Sequence, residues 1–228
     1  MADSIDLSEA KVRARREVAA ALIGMSPGRR RAASIAVAHQ LGLLPPVTQA
    51  ATIMAFLSLP TEIDTWSTIR WAWDRGKRVA IPRIEPGLDG ADTPAHERAM
   101  LPVLLEAADV PSVAAHPDVR PGAFGILTAP DAHTVPPAEI DVVLVPCQAV
   151  DRNGNRLGKG GGCYDRFLAR PEVQATRIAL VFQEQVLDAV PVAEGDQPLD
   201  MIVTEGEVLR FNRPATVPPE SENLSAKE

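Results

Sequence analysis

The chain has 228 residues, enough to bury a sizeable core as one large domain or two small ones. Its hydrophobic content of 46% and charged content of 23% are those of an ordinary globular protein. A net charge of −7 argues against a nucleic-acid or acidic-membrane partner, because such binding is driven by an excess of Lys and Arg, but it leaves room for a local basic pocket.

Residues 1–9 are acidic and polar, without the basic and apolar regions of a secretory signal. No apolar run approaches the ~18 residues needed to span a membrane. Cys147 and Cys163 are too few for a disulfide framework and suit a reduced, cytoplasmic setting, and no Cys/His cluster suggests zinc.

Asp6 is placed to cap a first helix, with Glu9 three residues on as in a capping box, and the helix is expected to run to Leu22. Lys11 and Arg15, spaced i and i+4, share one face of it, which spacing alone reads as a solvated basic surface; Arg13 and Arg16 compete for the same register. Ser26-Pro27 predicts a cap and first-turn proline for a second helix, residues 28–41, which Pro45-Pro46 ends. Residues 52–57 form an apolar run that reads as a buried strand. The segment 60–65 is expected to open a helix carrying Trp66, Ile69, Arg70 and Trp73, which makes Glu62 a first-turn acid stabilised by the helix dipole. Strands follow at 77–82 and 100–105, separated by the polar, proline-containing loop 85–99. Strands alternating with helices in this way predict a parallel sheet with helices on both sides.

The densest chemistry lies between residues 142 and 166. Val142, Val143, Leu144 and Val145 form an uninterrupted, β-branched run between Asp141 and Pro146, as a strand covered on both faces would. The chain then turns at Asn153-Gly154, and Gly158, Gly160, Gly161 and Gly162 admit backbone conformations that a side chain forbids. Residues 164–168 are helical in character, so the glycines open a helix whose N–H groups and positive dipole end favour an anion. Arg156, Lys159 and Arg166 place cations around that point, a pattern suited to several phosphate oxygens. Asp165, an acid among them, fits a divalent metal that accompanies phosphates, since Mg²⁺ is commonly held by one or two carboxylates plus phosphate oxygens. The competing reading is a glycine-rich surface loop with a solvated charge cluster. The spacing is neither that of a P-loop nor that of a dinucleotide fingerprint.

Beyond Arg170-Pro171 a short helix is expected to lead to a strand at 177–182. Asp196 and Asp200 follow in the segment 190–205. Residues 214–228 are proline-rich and polar and are expected to be disordered, leaving 1–213 as a single α/β domain.

Leu144-Val145-Pro146, followed by Asp151-x-x-Gly154-Asn155-Arg156-Leu157-Gly158-x-Gly160-x-Gly162-x-Tyr164-Asp165, resembles the signature of the 5-formyltetrahydrofolate cyclo-ligases, also called methenyltetrahydrofolate synthetases. Residues 56–64, 121–126 and 191–205 are also similar to that family, so the resemblance spans roughly residues 11–205. Cys147 stands where the family has Gly, Val150 where it has Phe, Cys163 where it has an aromatic, and Thr128-Ala129 where it has Glu-Pro. Neither cysteine has a histidine nearby in sequence to activate it, and both read as small packing residues.

The resemblance implies an α/β three-layer sandwich, with a mostly parallel sheet, helices on both faces and the site at the carboxyl ends of the strands. It implies ATP- and Mg²⁺-dependent cyclisation of a reduced folate, 5-formyltetrahydrofolate, to 5,10-methenyltetrahydrofolate with release of ADP and phosphate; a monomer is expected, although nothing in the sequence fixes the oligomeric state. ATP would be held by Lys11 and Arg15 and by Arg156, Leu157, Gly158, Lys159, Gly160, Gly161, Gly162, Cys163 and Tyr164. The folate would meet Leu57, Glu62, Lys159, Gly160, Gly161, Gly162 and Cys163. Lys159 and Arg156 would neutralise charge in the catalytic step, and Asp165 and Asp196 would hold the metal, with Asp200 as the alternative ligand. Two other readings stay open: a folate- or nucleotide-binding relative with weak catalysis, and an ATP-dependent enzyme for another small metabolite.

Overall fold

A computed structural model describes residues 2–85, 99–122 and 127–212. Its helices are α1 (Ala2–Ile23), α2 (Pro27–Leu41), α3 (Pro45–Gln49), α4 (Trp66–Trp73) and α5 (Cys163–Leu168). Its strands are β1 (Thr52–Met54), β2 (Arg78–Ile84), β3 (Met100–Leu104), β4 (Arg120–Pro121), β5 (Leu127–Thr128), β6 (Val142–Val145), β7 (Ala149–Asp151), β8 (Arg156–Leu157), β9 (Thr176–Leu180), β10 (Val186–Leu187), β11 (Met201–Val203) and β12 (Val208–Arg210). The expected loop at 85–99 and the tail 214–228 fall largely or wholly outside the described residues, as do residues 123–126 of the family-like segment 121–126.

The principal sheet has seven strands in the order β12-β11-β9-β6-β1-β2-β3. Its five inner strands are parallel, and the two edges, β3 on β2 and β12 on β11, are antiparallel. Successive side chains of a strand point to opposite faces, and here they feed two separate cores. Ile53, Val79, Val142, Leu144 and Ile178 pack with Val18, Val37, Leu41 and Ile69 from α1, α2 and α4. Met54, Ala80, Val143, Val145, Ala179 and Ile202 pack with Phe167 and Leu168 from α5. The mostly parallel three-layer arrangement with helices on both faces is therefore present, with the cover shared unevenly: α1 to α4 on one face, α5 and irregular segments on the other.

Several boundaries differ from the sequence expectation. Helix α1 begins at Ala2, so Asp6 lies inside it and is not its cap. Ser26 does cap α2, its hydroxyl accepting the Arg29 N–H at 3.3 Å with Pro27 in the first turn. Strand β1 stops at Met54, and 55–57 continue as buried irregular chain. Helix α4 starts only at Trp66, because Ser58, Asp64 and Thr65 tie the preceding segment into a turn: Ser58 Oγ donates to the Ile63 carbonyl at 2.7 Å and Asp64 Oδ1 accepts the Trp66 N–H at 2.9 Å. Glu62 is thus a turn residue rather than a helix-start acid. No helix follows Arg170 before β9.

Candidate active site

The chain leaves β6 at Pro146 and forms the β7–β8 hairpin before it reaches the glycines; β10, from beyond β9, later completes a small sheet in the order β10-β7-β8. The glycines therefore follow a hairpin, not the buried strand itself. Registers Ala149↔Leu157 and Val150↔Arg156 fix that hairpin, which the buried side chain of Gln185 clamps by donating to the Cys147 and Gln148 carbonyls at 2.9 and 3.0 Å. Its purpose is visible at β8: Arg156 is carried into the interior, its side chain only 3% exposed.

Residues 158–162 then form the glycine loop. Gly160 (φ 102°) and Gly162 (φ 63°) lie in the left-handed region that L side chains avoid. At Gly162 a Cβ would also come within 2.7 Å of Arg166 Nη1, which donates to the Gly161 carbonyl at 3.0 Å. Gly162 caps α5, whose first helical bond runs from the Arg166 N–H to the Gly162 carbonyl at 3.0 Å. From the other side of the site, Arg15 Nε donates to the Gly158 carbonyl at 3.0 Å, so α1 reaches the loop directly.

Around this loop the sequence-distant candidates meet as cation–carboxylate pairs. Lys11 Nζ lies 2.6 Å from Asp196 Oδ2, Arg156 Nη2 lies 2.5 Å from Asp165 Oδ1, and Lys159 Nζ lies 2.7 Å from Glu62 Oε1. Glu62 is steadied by the Leu59 N–H at 2.9 Å. Asp165 Oδ1 also accepts the N–H of Gln197 at 2.9 Å, which brings Asp165 against the residue next to Asp196. Asp200 sits elsewhere: its Oδ2 accepts the Arg177 N–H at 2.8 Å, at the seam of β9 and β11. The structure thus groups Lys11, Arg15, Glu62, Arg156, Lys159, Asp165 and Asp196 around Gly158, Gly160, Gly161 and Gly162, and leaves Asp200 in the strand-edge role.

Other candidates are placed differently. Leu57 and Leu157 are buried in the α1–α4 core, where only their backbone is available for a polar contact. The Tyr164 hydroxyl is buried without a hydrogen-bond partner. Burial, then the charge of Glu62, push its pKa up, with Arg156 opposing them. The Cys147 thiol is buried, and burial pushes its pKa up to about 12, so it is no nucleophile. Cys163, half-buried at the start of α5, has its sulfur 3.7 Å from the Gly161 carbonyl and 3.6 Å from Arg166 Nη2. Gln197 and Gln185 were not singled out in the sequence; both act through a backbone amide or a side-chain amide, and neither carries a sequence signal for that role.

Asp165 and Asp196 could together supply the carboxylates of a Mg²⁺ site. Asp165 and Asp196 are two carboxylates from segments brought together by the Gln197 amide, each about a quarter exposed, at 25% and 23%. Among the described residues no group of three His, Cys, Asp or Glu side chains forms a metal cluster, so the remaining ligands of such an ion would be phosphate oxygens and water. Arg156 Nε is a buried donor with no protein acceptor, so it could meet an anion at this corner.

A doubly covered, mostly parallel sheet with cations and glycines gathered beyond the carboxyl ends of β1 and β6 defines an α/β protein of the open-sheet class, in which ligands commonly bind at that edge. Residues 7–205 match the profile of the 5-formyltetrahydrofolate cyclo-ligase family, and the chain belongs to that family. It is 30% identical over 187 residues to the 5-formyltetrahydrofolate cyclo-ligase of Escherichia coli, covering 81% of this chain and 94% of that one. It is 38% identical over 157 residues to the enzyme of the same name from Mycolicibacterium smegmatis, covering 67% and 73% of the two chains. The fold matches the solved structure of Aquifex aeolicus 5,10-methenyltetrahydrofolate synthetase with a TM-score of 0.71 at 24% identity, over 93% of this chain and 98% of that one. The resemblance carried by residues 144–165 is thereby borne out, Cys147, Val150 and Cys163 notwithstanding.

Proposed function

We propose that the protein is an active 5-formyltetrahydrofolate cyclo-ligase, which closes 5-formyltetrahydrofolate to 5,10-methenyltetrahydrofolate at the expense of ATP in the presence of Mg²⁺. Family membership supports the ligase class and the folate substrate. The observation that carries the site assignment is the Lys159–Glu62 pair at 2.7 Å, which joins the phosphate-side loop to the folate-side turn after β1.

The chemistry needs charge handling rather than a protein nucleophile. The formyl oxygen is a poor leaving group, so it first attacks the γ-phosphorus of ATP, forming an O–P bond as ADP departs. N10 of the folate then attacks the activated formyl carbon and loses its proton, and phosphate leaves with the former formyl oxygen. Such phosphoryl transfer is governed by positioning and charge neutralisation. Lys11, Arg15 and Arg156 would bind and orient the phosphates, together with the N–H groups of Gly158, Gly160, Gly161 and Gly162. Lys159 would neutralise the transferred group. Asp165 and Asp196 would hold Mg²⁺, which would supply charge compensation for the phosphates. Glu62 would accept polar pterin hydrogens once Lys159 turns to phosphate, with Leu57 and Cys163 on the folate side and Leu157 and Tyr164 flanking the nucleotide loop.

The working unit in this reading is a single domain over residues 1–213, a monomer acting in the cytoplasm, with the tail 214–228 outside it. No helix among the described residues is long and apolar enough to cross a membrane. Incubation with ATP, Mg²⁺ and 5-formyltetrahydrofolate tests the reading by the growth of methenyl absorbance. Growth that requires both ATP and Mg²⁺ is expected. Tight folate binding without turnover would instead mark a folate-binding relative, and ATP binding without folate binding an enzyme for another metabolite.

A further inference from the structure

We propose that Asp151 is a positioning residue for the metal side of the site, holding the Asp196 segment against the hairpin that carries Arg156. The proposal rests on the assignment of Asp165 and Asp196 to Mg²⁺. Asp151 ends β7 and is 1% exposed. Its Oδ1 accepts the N–H of Asn153 at 2.9 Å and that of Asn155 at 3.0 Å. Its Oδ2 accepts Asn155 Nδ2 at 2.9 Å and the N–H of Val190 at 3.1 Å. A buried carboxylate is costly unless its charge is met, and here N–H donors meet it on both oxygens.

Those donors come from two walls of the site. Asn153 and Asn155 belong to the turn that leads into Arg156, whereas Val190 begins the segment that carries Asp196 and Gln197. Two further contacts seat the turn, the first of them against the wall that carries Asp196 and the second against the chain beyond β12. The Leu199 N–H donates to the Gly154 carbonyl at 2.9 Å. Gly154, at φ 84°, lies so close to the Phe211 ring that a Cβ would come within 2.9 Å of it. At the far end of the same walls, Arg156 and the Gln197 N–H converge on Asp165 Oδ1 at 2.5 and 2.9 Å. A metal site drawn from two segments works only if both are held to a fraction of an ångström. Asp151 is the shared anchor of those segments and acts through them rather than by touching the ligand.

Asp151→Asn keeps the shape but turns an NH₂ towards N–H donors on one side, so it releases one wall while filling the same volume. Asn155→Ala is the milder variant, removing one donor from Oδ2. Calorimetric affinity for a non-hydrolysable ATP analogue, with and without Mg²⁺, is measured beside affinity for 5-formyltetrahydrofolate and melting temperature. Asp151→Asn is expected to weaken the analogue about tenfold or more in Mg²⁺, the range found for residues that orient metal ligands. Its metal-free affinity should fall by clearly less, since Arg156 rides on the same hairpin, its folate affinity should stay that of the parent, and Asn155→Ala should shift in the same direction by less. Equal weakening with and without Mg²⁺, or a parallel loss of folate affinity, would make Asp151 a brace of the turn alone and overturn the proposal. Should Asp151→Asn fail to fold, Asn155→Ala decides, since parent-like Mg²⁺ dependence in that variant also overturns it. Asp165→Asn and Asp196→Asn run in the same titrations separate the two levels: if both keep full Mg²⁺ dependence, the metal assignment itself is wrong.

Discussion

Lys11 and Asp196 are 185 positions apart and meet at 2.6 Å, closing α1 over the segment that leads into β11. Asp196 Oδ2 takes a second donor, the Ala193 N–H at 2.8 Å, so the carboxylate is already oriented before any ligand engages it. Lys11 and Asp196 are the cation assigned to ATP and an acid assigned to Mg²⁺, and Arg156 and Asp165 repeat the arrangement. The site therefore holds its charges in matched pairs, which under the proposed function a phosphate–metal complex would exchange with.

Lys11→Met tests that exchange. It keeps most of the apolar stem while removing the ammonium, and a hydrogen bond to a charged group contributes about 1.5–3 kcal/mol. KM for ATP is expected to rise by roughly one to two orders of magnitude on that basis. KM for 5-formyltetrahydrofolate should hold steady. Steady-state kinetics with each substrate varied in turn reads the split; an equal rise in both constants would place Lys11 in the fold and not at the nucleotide.

Asp165→Asn should cost far more activity than stability. The amide oxygen still accepts the Gln197 N–H, seen at 2.9 Å, and still faces Arg156. Asp165→Ala leaves the buried guanidinium without an acceptor there, and stripping one partner from a buried pair typically costs about 3–5 kcal/mol. Urea denaturation should thus rank the alanine variant well below the asparagine variant. Both should lose at least about a hundredfold in kcat, the usual scale for removing a preorganised charge at a transition state. Equal losses of stability and activity in Asp165→Asn would make Asp165 structural.

What could be read in the sequence, and what could not, follows from the range of the forces involved. The run 142–145 announced a strand covered on both faces, and it is one, because burial on both sides demands apolar residues at every position. The glycine loop and its cations were legible for the same local reason. Strands β7 and β8 were not, since elements of two or three residues leave no periodicity to detect. Nor was the antiparallel pairing of β3 and β12, which depends on where the chain re-enters the sheet. Glu62 was misplaced into a helix start because the turn bonds of Ser58 and Asp64 outweigh the helical signal around Pro60. The partners of Lys11 and Lys159 lie 185 and 97 residues away, and no local pattern encodes such pairings.

Gly162 and Gly161 should separate backbone conformation from access to the loop. Gly162→Ala introduces a side chain at φ 63° and within 2.7 Å of Arg166, so its unfolding free energy should fall by about 1–3 kcal/mol, the range for a residue forced into a sparsely populated conformation. Gly161 has no positive φ, and a Cβ there would meet only the Cys163 sulfur at 3.7 Å, an ordinary contact. Gly161→Ala should therefore melt with the parent. A raised KM for ATP or folate in that stable variant would show ligand approaching the loop closely, and parent-like kinetics would show that it does not.

Cys147 gives a pH-dependent signature that owes nothing to catalysis. Its thiol is raised by burial from 9.0 to about 12 in the folded protein, so between those values the unfolded chain gives up a proton that the folded chain retains. Stability from this group is complete below about pH 9 and is lost as pH climbs towards 12, at up to about 1.4 kcal/mol for each pH unit. Cys147→Ala should flatten that decline over the alkaline range, measured as unfolding free energy in urea, leaving the fall due to Tyr164, whose pKa burial also raises. The same burial makes a kinetic prediction at pH 8. Iodoacetamide should label half-buried Cys163 in the native protein and reach Cys147 only after denaturation, with peptide mass spectrometry reporting the order. Early labelling of Cys147 would mean that the hairpin clamped by Gln185 opens readily in solution.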